Sequence, residues 1–518
     1  MVKKNDTNTF LKGTLSLSLA AIITKFLGVL YKVPLSYILD DEGMGYFNTA
    51  YAIYGFFYIL CTAGVPKAVS LLMSENSGDE DASHFILKKG TVMFLKVGLA
   101  TCALIVVLAP ALVNIIGNKK SLYTVIVIAP SIVFVSVSGV LRGYLNSGGR
   151  LITLAVSQFF EALIKLVLGL CFALIGWRLK LGLPIIAAMS VAGITVGSLM
   201  SCVYLYICAF SKIKNKKARQ NMVIESISIR KRIVSIALPI ALSSSLLNLS
   251  SIIDLTVMMK RLTDIGYTEA EANALYGNYT TLAVPMLNLV MAVITPITMA
   301  YFPKLSELGY RMKSREYSQC LQNVFDIVVF ITVPCFCMFL FYGFDILDTL
   351  FSVQSSLLGA DMLGALAPGV LLLSILTVVN TGLEARGKIA LTVISLLTGC
   401  VVKSVVTYVL IGVRGVGMLG APLGTAASYL FSLAVSVIAL EGIGVKIHTF
   451  RRMLSDTAMG LLAFYLPYKL IYAGGVFKNL YVSFFACAFL SGVLYLGLKI
   501  TLYFLRGGGA NIKSAQKS

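Results

Sequence analysis

The chain has 518 residues, of which 58% are hydrophobic and only 13% charged. A soluble protein of this size has no interior large enough to hide that much apolar surface, so a soluble globular protein is excluded. The formal net charge of +20 points to a nucleic-acid partner only until the charges are placed along the chain.

Apolar runs long enough to cross a bilayer predict an all-α integral membrane protein with about 14 transmembrane helices. In chain order the runs fall at 10–33, 45–73, 86–116, 121–141, 151–176, 183–210, 233–259, 277–302, 318–343, 361–383, 389–412, 416–440, 453–473 and 479–505. Lys3 and Lys4 precede the first run, Lys25 interrupts it, and no small-residue cleavage site follows. It therefore reads as a retained helix rather than a signal peptide.

About 27 of the 43 Lys and Arg fall in the amino-terminal tail, the even-to-odd loops and the carboxy-terminal tail, and about eight in the opposite loops. That asymmetry is the positive-inside rule, and it predicts a multi-pass protein of the cytoplasmic membrane with both termini in the cytoplasm. The largest basic cluster, Lys212, Lys214, Lys216, Lys217 and Arg219 followed by Arg230, Lys231 and Arg232, lies between the sixth and seventh runs. It sets orientation and links two halves, with anionic membrane lipid as the alternative partner. No nucleic-acid partner is expected.

Two stretches return along the chain. At an offset of 238, Gly149 matches Gly387, Ser157 matches Ser395, Lys165 matches Lys403, Gly182 matches Gly420, Pro184 matches Pro422 and Ser190 matches Ser428. At an offset of 232, Gly45 matches Gly277, Thr49 matches Thr281, and Ser74-Glu75 matches Ser306-Glu307. A membrane chain of two similar halves is the plan of many secondary transporters, with the substrate site between the halves. Each half has an even number of spans, so both enter the membrane in the same sense and the repeats are parallel. The expected organisation is an N-lobe at 1–210, a basic cytoplasmic linker at 211–232, a C-lobe at 233–440, two extra helices at 441–505 and a cytoplasmic tail at 506–518.

No Gly-rich phosphate loop, nucleophile motif or metal-ligand spacing is present in the sequence, and His84 and His448 fall in separate cytoplasmic loops. Nine of the ten cysteines lie well inside predicted spans and Cys320 lies at the start of one, and Cys335 and Cys337 are two apart on a helix and face different ways. Neither an enzyme, a metal nor a cofactor is expected.

The informative residues are charges within spans, each costing about 2.5–3.5 kcal/mol at mid-membrane unless it faces a cavity or a partner. Lys12, Lys96, Lys469 and Lys499 lie near span ends and can snorkel. Lys25, Lys165 and Lys403 lie near mid-span, and Lys25 and Lys32 share one face of the first helix. Lys67 follows Gly64 and Pro66, where a broken helix would free backbone groups beside a cation. Glu161 and Lys165 stand at helical spacing, so mutual neutralisation and a free Lys165 are both open. Lys403 has no acidic residue at that spacing. Candidate substrate-binding residues are thus Lys25, Lys32, Lys67, Lys165 and Lys403, for an anionic ligand such as a phosphate or pyrophosphate on a carrier lipid. Asp254, with Asn380 and Glu384, is a candidate for a coupling cation; its alternative is pairing with Lys260 or Arg261.

The segments Phe10-Leu11-Lys12-Gly13-Thr14, Gly28-Val29-Leu30-Tyr31-Lys32-Val33-Pro34-Leu35, Gly43-Met44-Gly45-Tyr46-Phe47 and Thr62-Ala63-Gly64-Val65-Pro66 resemble the stage V sporulation protein B family. So do Ile253-Asp254 with Lys260-Arg261-Leu262, and Leu275-Tyr276-Gly277 with Phe302-Pro303-Lys304-Leu305-Ser306-Glu307. That family belongs to the multidrug/oligosaccharidyl-lipid/polysaccharide exporter superfamily, which includes the lipid II flippases. The resemblance implies two six-helix lobes around a central cavity, two extra helices lining a groove for a lipid tail, and alternating access. Related flippases use cavity arginines in the first helices; here Lys25 and Lys32 stand instead, and lysine neutralises phosphate without the two-pronged contact of arginine.

The resulting expectation is a flippase for lipid II or a related cell-wall or polysaccharide precursor, with a lipid-linked oligosaccharide as its ligand. A cation-coupled drug exporter of the same superfamily is the first alternative, and it calls for more cavity carboxylates than basic groups. An integral-membrane glycosyltransferase or ligase is the second, and it calls for a sizeable outward loop bearing acid or base residues. A scaffold for the cell-wall synthesis machinery is the third.

Overall fold

The computed structural model describes residues 4–75, 80–211, 223–311, 314–443, 445, 450–472 and 480–505. Residues 212–222 of the expected linker, which include the basic cluster 212–219, together with His448 and the tail from Arg506, lie outside these residues. Among the described residues every regular element is a helix.

The helices, in chain order, are α1 (Lys4–Thr62), α2 (Val65–Glu75), α3 (Glu80–Ile116), α4 (Leu122–Ile128), α5 (Ser131–Ser147), α6 (Leu151–Arg178), α7 (Leu183–Phe210), α8 (Val223–Asp264) and α9 (Glu269–Asn278). They continue as α10 (Val284–Tyr310), α11 (Ser314–Phe341), α12 (Gly343–Asp348), α13 (Val353–Ala385), α14 (Ile389–Ile411), α15 (Gly420–Gly442), α16 (Phe450–Pro467) and α17 (Leu480–Leu505). Every apolar run read from the sequence has a helical counterpart. Eleven stretches among the described residues are long and apolar enough to cross a membrane, and the first, Ile23–Met73, takes in two of the expected spans. The helix α8, rich in serine, and α16, short and charged at its start, are not among the eleven.

Spans one and two join through a bend rather than a loop. Asp40 breaks the helical geometry inside α1 with φ of 50°, a left-handed conformation that side chains other than glycine rarely adopt. The Gly-Pro break expected near Lys67 is present as the step from Thr62 to Val65. Gly64 is obligatory there, since a Cβ would run into the Ala237 backbone on α8.

The chain divides into two compact units, residues 1–281 and residues 282–518. In the first, the apolar faces of α2, α3, α5, α7 and α8 close on a core that includes Val69, Leu72, Leu87, Leu141 and Leu205. The helices α6 and α7 pack along glycines: a Cβ on Gly193 would strike the Gly169 backbone, and one on Gly197 would crowd the Glu161 carbonyl. Small residues at a crossing let two membrane helices approach closely, and dispersion then replaces the absent hydrophobic drive.

In the second unit, α14 and α15 pack the same way, through Gly399 against Ser432 and Gly424 against Thr407. The closing helices are tied by polar contacts. Tyr472, in a π-helical turn after α16, donates to Asp345 of α12, and Lys499 of α17 pairs with Asp456 of α16. Lys499 therefore has an intramolecular partner instead of snorkelling.

The repeat at offset 238 is visible in the backbone. Gly149 and Gly387 have φ of 67° and 73°. Ahead of α6, Arg150 N–H donates to Leu145 and Gly149 N–H to Asn146; ahead of α14, Lys388 N–H donates to Leu383 and Gly387 N–H to Glu384. Each partner is the counterpart of the other, 238 positions on. Pro184 and Pro422 both fall in the first turn of a helix, α7 and α15, where a missing N–H costs nothing. They start helices rather than break them.

Candidate functional site

The first unit brings two of the candidate lysines together. Tyr31 and Lys32 are neighbours on α1, and they point to different partners. The Tyr31 hydroxyl donates to the Ser190 carbonyl at 2.9 Å, and the ring fits over Gly169, where any Cβ would collide with it. Lys32 Nζ donates to Asn48 Oδ1 at 3.0 Å and to the Thr280 carbonyl at 3.1 Å. Thr280 sits in a five-residue π-helical stretch, Tyr279–Ala283. Such a widened turn disturbs the ordinary backbone ladder and is often found at functional sites.

Lys165, on α6, reaches the same stretch of α1. Its ammonium stands 4.8 Å from the centroid of the Tyr51 ring and 5.7 Å from that of Tyr31. Cation–π attraction of this kind is worth about 0.5–2 kcal/mol. Glu161 does not neutralise Lys165. Its carboxylate receives the Arg142 guanidinium at 2.8 Å, with both side chains largely buried. The helical spacing of Glu161 and Lys165 left that choice open; a partner from α5 decides it.

The other lysines differ in exposure. Lys25 is exposed on α1 and Lys67 is exposed on α2, whereas Lys32 is half-buried. The shared face of Lys25 and Lys32 is thus split by burial. Lys403 is half-buried on α14, at the position that repeats Lys165.

The candidate cation residues fall in both units. Asp254 is buried in α8, in the first unit, and Asn380 and Glu384 lie one turn apart on α13, in the second. Asn380 Oδ1 accepts from Ser436 Oγ at 2.7 Å, and Ser436 Oγ also lies 2.6 Å from Ser395 Oγ. Asn380, Ser395 and Ser436 repeat Arg142, Ser157 and Ser198 at the offset of 238. The two halves therefore keep a buried polar centre at the same place. In the first it is a charge pair, and in the second an uncharged set of oxygens.

Sequence reasoning missed Arg142, Asn48 and Tyr51. Arg142 follows the fourth apolar run and reads as a loop charge; its partner is 19 residues away on another helix. Asn48 and Tyr51 are a turn apart on a strongly apolar segment, and nothing local distinguishes them from packing residues.

Residues 10–309 match the polysaccharide biosynthesis protein family. The chain is 27% identical over 433 residues to the stage V sporulation protein B of Bacillus subtilis (strain 168), covering 80% of each chain. It is 24% identical over 536 residues to the lipid II flippase MurJ of the same organism, covering 96% of each. Among solved structures, the lipid II flippase MurJ in an inward closed conformation superposes with a TM-score of 0.68 at 17% identity, over 94% of this chain and 98% of that one. The fold is that of MurJ, and the helical architecture and the matching sequence agree: this chain belongs to the polysaccharide biosynthesis protein family.

Proposed function

We propose that the chain is an alternating-access flippase that exports polyprenyl-pyrophosphate-linked sugars, lipid II or a related cell-wall or polysaccharide precursor, across the cytoplasmic membrane. One observation carries this reading. Glu161 is paired with Arg142, and Lys165 reaches the ring of Tyr31, the residue next to Lys32 on α1. Two like charges in a poorly solvated site repel, and an anion relieves that repulsion. A diphosphate likewise needs at least two nearby cations, because one offsets neither its charge nor its desolvation. Lys32 and Lys165 are assigned to that nucleus and Lys25 and Lys67 to the headgroup path, and Lys403, in the second unit, is assigned separately as a further substrate-binding lysine. A cationic drug meets the opposite potential and is disfavoured at the same place.

As ligands for a coupling cation we assign Asn380 and Glu384 in the second unit, supported by the buried oxygen set of Asn380, Ser395 and Ser436, and, separately, the buried Asp254 in the first unit. Purified protein in liposomes, assayed for transbilayer movement of lipid II against other polyprenyl-linked sugars, tests the substrate. The same assay with sodium replaced by choline tests the coupling. Failure to move any polyprenyl-pyrophosphate lipid, with transport of cationic drugs instead, would overturn the reading.

A further inference from the structure

A stripe of aromatic rings runs along α1 beside the two lysines. Phe47 and Tyr51 stack with centroids 6.0 Å apart and planes 11° apart, Tyr51 and Tyr54 lie at 5.9 Å, and Tyr54 and Tyr58 at 5.4 Å. The spacing of three and four residues puts these rings on one helical face. Phe47 and Tyr54 are buried and Tyr58 is half-buried. Tyr51 is 39% exposed. Its ring is held by its neighbours on the helix, and its face carries the Lys165 ammonium. Tyr31, the other ring under that ammonium, is buried and fixed by its bond to Ser190.

We propose that Tyr51 is the platform for the first sugar of the lipid-linked headgroup, with Lys165 holding the adjoining phosphate. This deepens the flippase reading and rests on it. The chemistry of a glycosyl pyrophosphate joins the two groups: the anomeric carbon is one oxygen away from phosphorus. A cation that binds that phosphate and a surface that binds that sugar must therefore be neighbours. Lys165 and Tyr51 are in contact. The electron-rich face of a tyrosine attracts an ammonium, and it attracts the weakly positive C–H face of a pyranose for the same reason. A phosphate draws the flexible lysine off the ring, and the sugar takes the face that the ammonium leaves. Tyr51 thus discriminates a glycosylated pyrophosphate from a bare one, while Lys165 reads the charge common to both.

The test compares binding of two lipids to the full-length protein in lipid nanodiscs: an undecaprenyl pyrophosphate bearing a single N-acetylhexosamine, and undecaprenyl pyrophosphate alone. Tyr51→Leu is expected to weaken the glycosylated lipid about tenfold, the scale of one lost stacking contact, and the bare lipid little. Tyr51→Trp is expected to keep the preference, and Lys165→Ala to weaken both lipids. Thermal unfolding checks that each variant folds, and Tyr51→Met gives the same comparison where Tyr51→Leu does not. Equal loss for both lipids in Tyr51→Leu overturns the proposal, since the ring then only positions Lys165. No loss for either overturns it as well. A wild-type protein that binds neither lipid removes the flippase reading itself, and that result is distinct from both.

Discussion

Gly45 and Gly277 meet backbone to backbone where α1 crosses α9, and each is the counterpart of the other 232 positions along the chain. Gly45 lies against Asn273, and Gly277 lies against Asp41, which are themselves 232 positions apart. Polar side chains close the same seam. Asn48 donates to Thr281 at 2.8 Å, Asn118 donates to Thr49 at 2.9 Å and to Asn273 at 2.6 Å, and Asn278 donates to Asp41 at 3.0 Å.

That crossing leaves no room for a side chain at either glycine. Gly45→Ala and Gly277→Ala should each destabilise the protein by about 1–3 kcal/mol, because the two backbones must separate. Gly28→Ala on the same helix is the control, since a Cβ there would meet nothing within 4 Å. It should be neutral or slightly stabilising, by up to about 1 kcal/mol, from the lower conformational freedom of alanine. Thermal unfolding in detergent, compared across the three variants, checks the order.

The Arg142–Glu161 pair makes a prediction about stability that is separate from substrate binding. Arg142→Ala leaves a largely buried carboxylate without its cation, at a cost of about 3–5 kcal/mol. Removing both charges, as in Arg142→Met with Glu161→Leu, should restore most of that loss, because the desolvation penalty disappears with the pair. A double-mutant cycle on the unfolding midpoint measures the coupling. A double variant no more stable than Arg142→Ala would show that the pair is not the source of the loss.

Much of the fold was legible because membrane helices announce themselves by length and apolarity, and all fourteen runs became helices. The turn ahead of α6 and its repeat ahead of α14 were legible too, through the Gly149 and Gly387 match, since a left-handed residue favours glycine. The candidate site was legible only as a set of residue types. Lysines in apolar sequence stand out by cost, so Lys32 and Lys165 were found. What each lysine touches depends on helix–helix contacts that no local pattern encodes. Spacing left open whether Glu161 faces Lys165, since an i,i+4 pair is worth only a few tenths of a kcal/mol. Arg142 arriving from α5 outweighs it with a direct, largely buried contact. The aromatic stripe of Phe47, Tyr51 and Tyr54 looks like packing in sequence, and only exposure separates Tyr51 from its neighbours.

Orientation follows from the distribution of Lys and Arg and is checked by labelling. In a cysteine-free background, single cysteines at Lys120 and Gln354 should react with an impermeant thiol reagent in intact cells. Cysteines at Ser147 and Ser314 should react only after the membrane is opened. All four positions are exposed, so a silent position reflects sidedness rather than burial. Labelling of Ser147 from outside would reverse the orientation and with it the direction of transport.

The lysines should separate by what else each one does. Lys165→Ala removes a charge and a ring contact, so flipping should fall at least about tenfold while stability changes by about 1 kcal/mol or less. Lys165→Arg should keep part of the activity, because a guanidinium also neutralises phosphate and stacks on an aromatic face. Lys165→Glu should be worse than Ala, since repulsion is added to the lost attraction. Lys32→Ala should lose both activity and stability, because Asn48 and the Thr280 carbonyl lose their donor, at about 1–3 kcal/mol for buried acceptors left unpaired. Lys25 and Lys67 are exposed and carry no such structural duty among the described residues, so Lys25→Ala and Lys67→Ala should leave the unfolding midpoint in place. If they line the headgroup path, Lys25→Glu and Lys67→Glu will slow flipping in liposomes, and will do so less at high salt, where exposed charges are screened. Normal transport in both charge reversals would confine the anion site to Lys32 and Lys165.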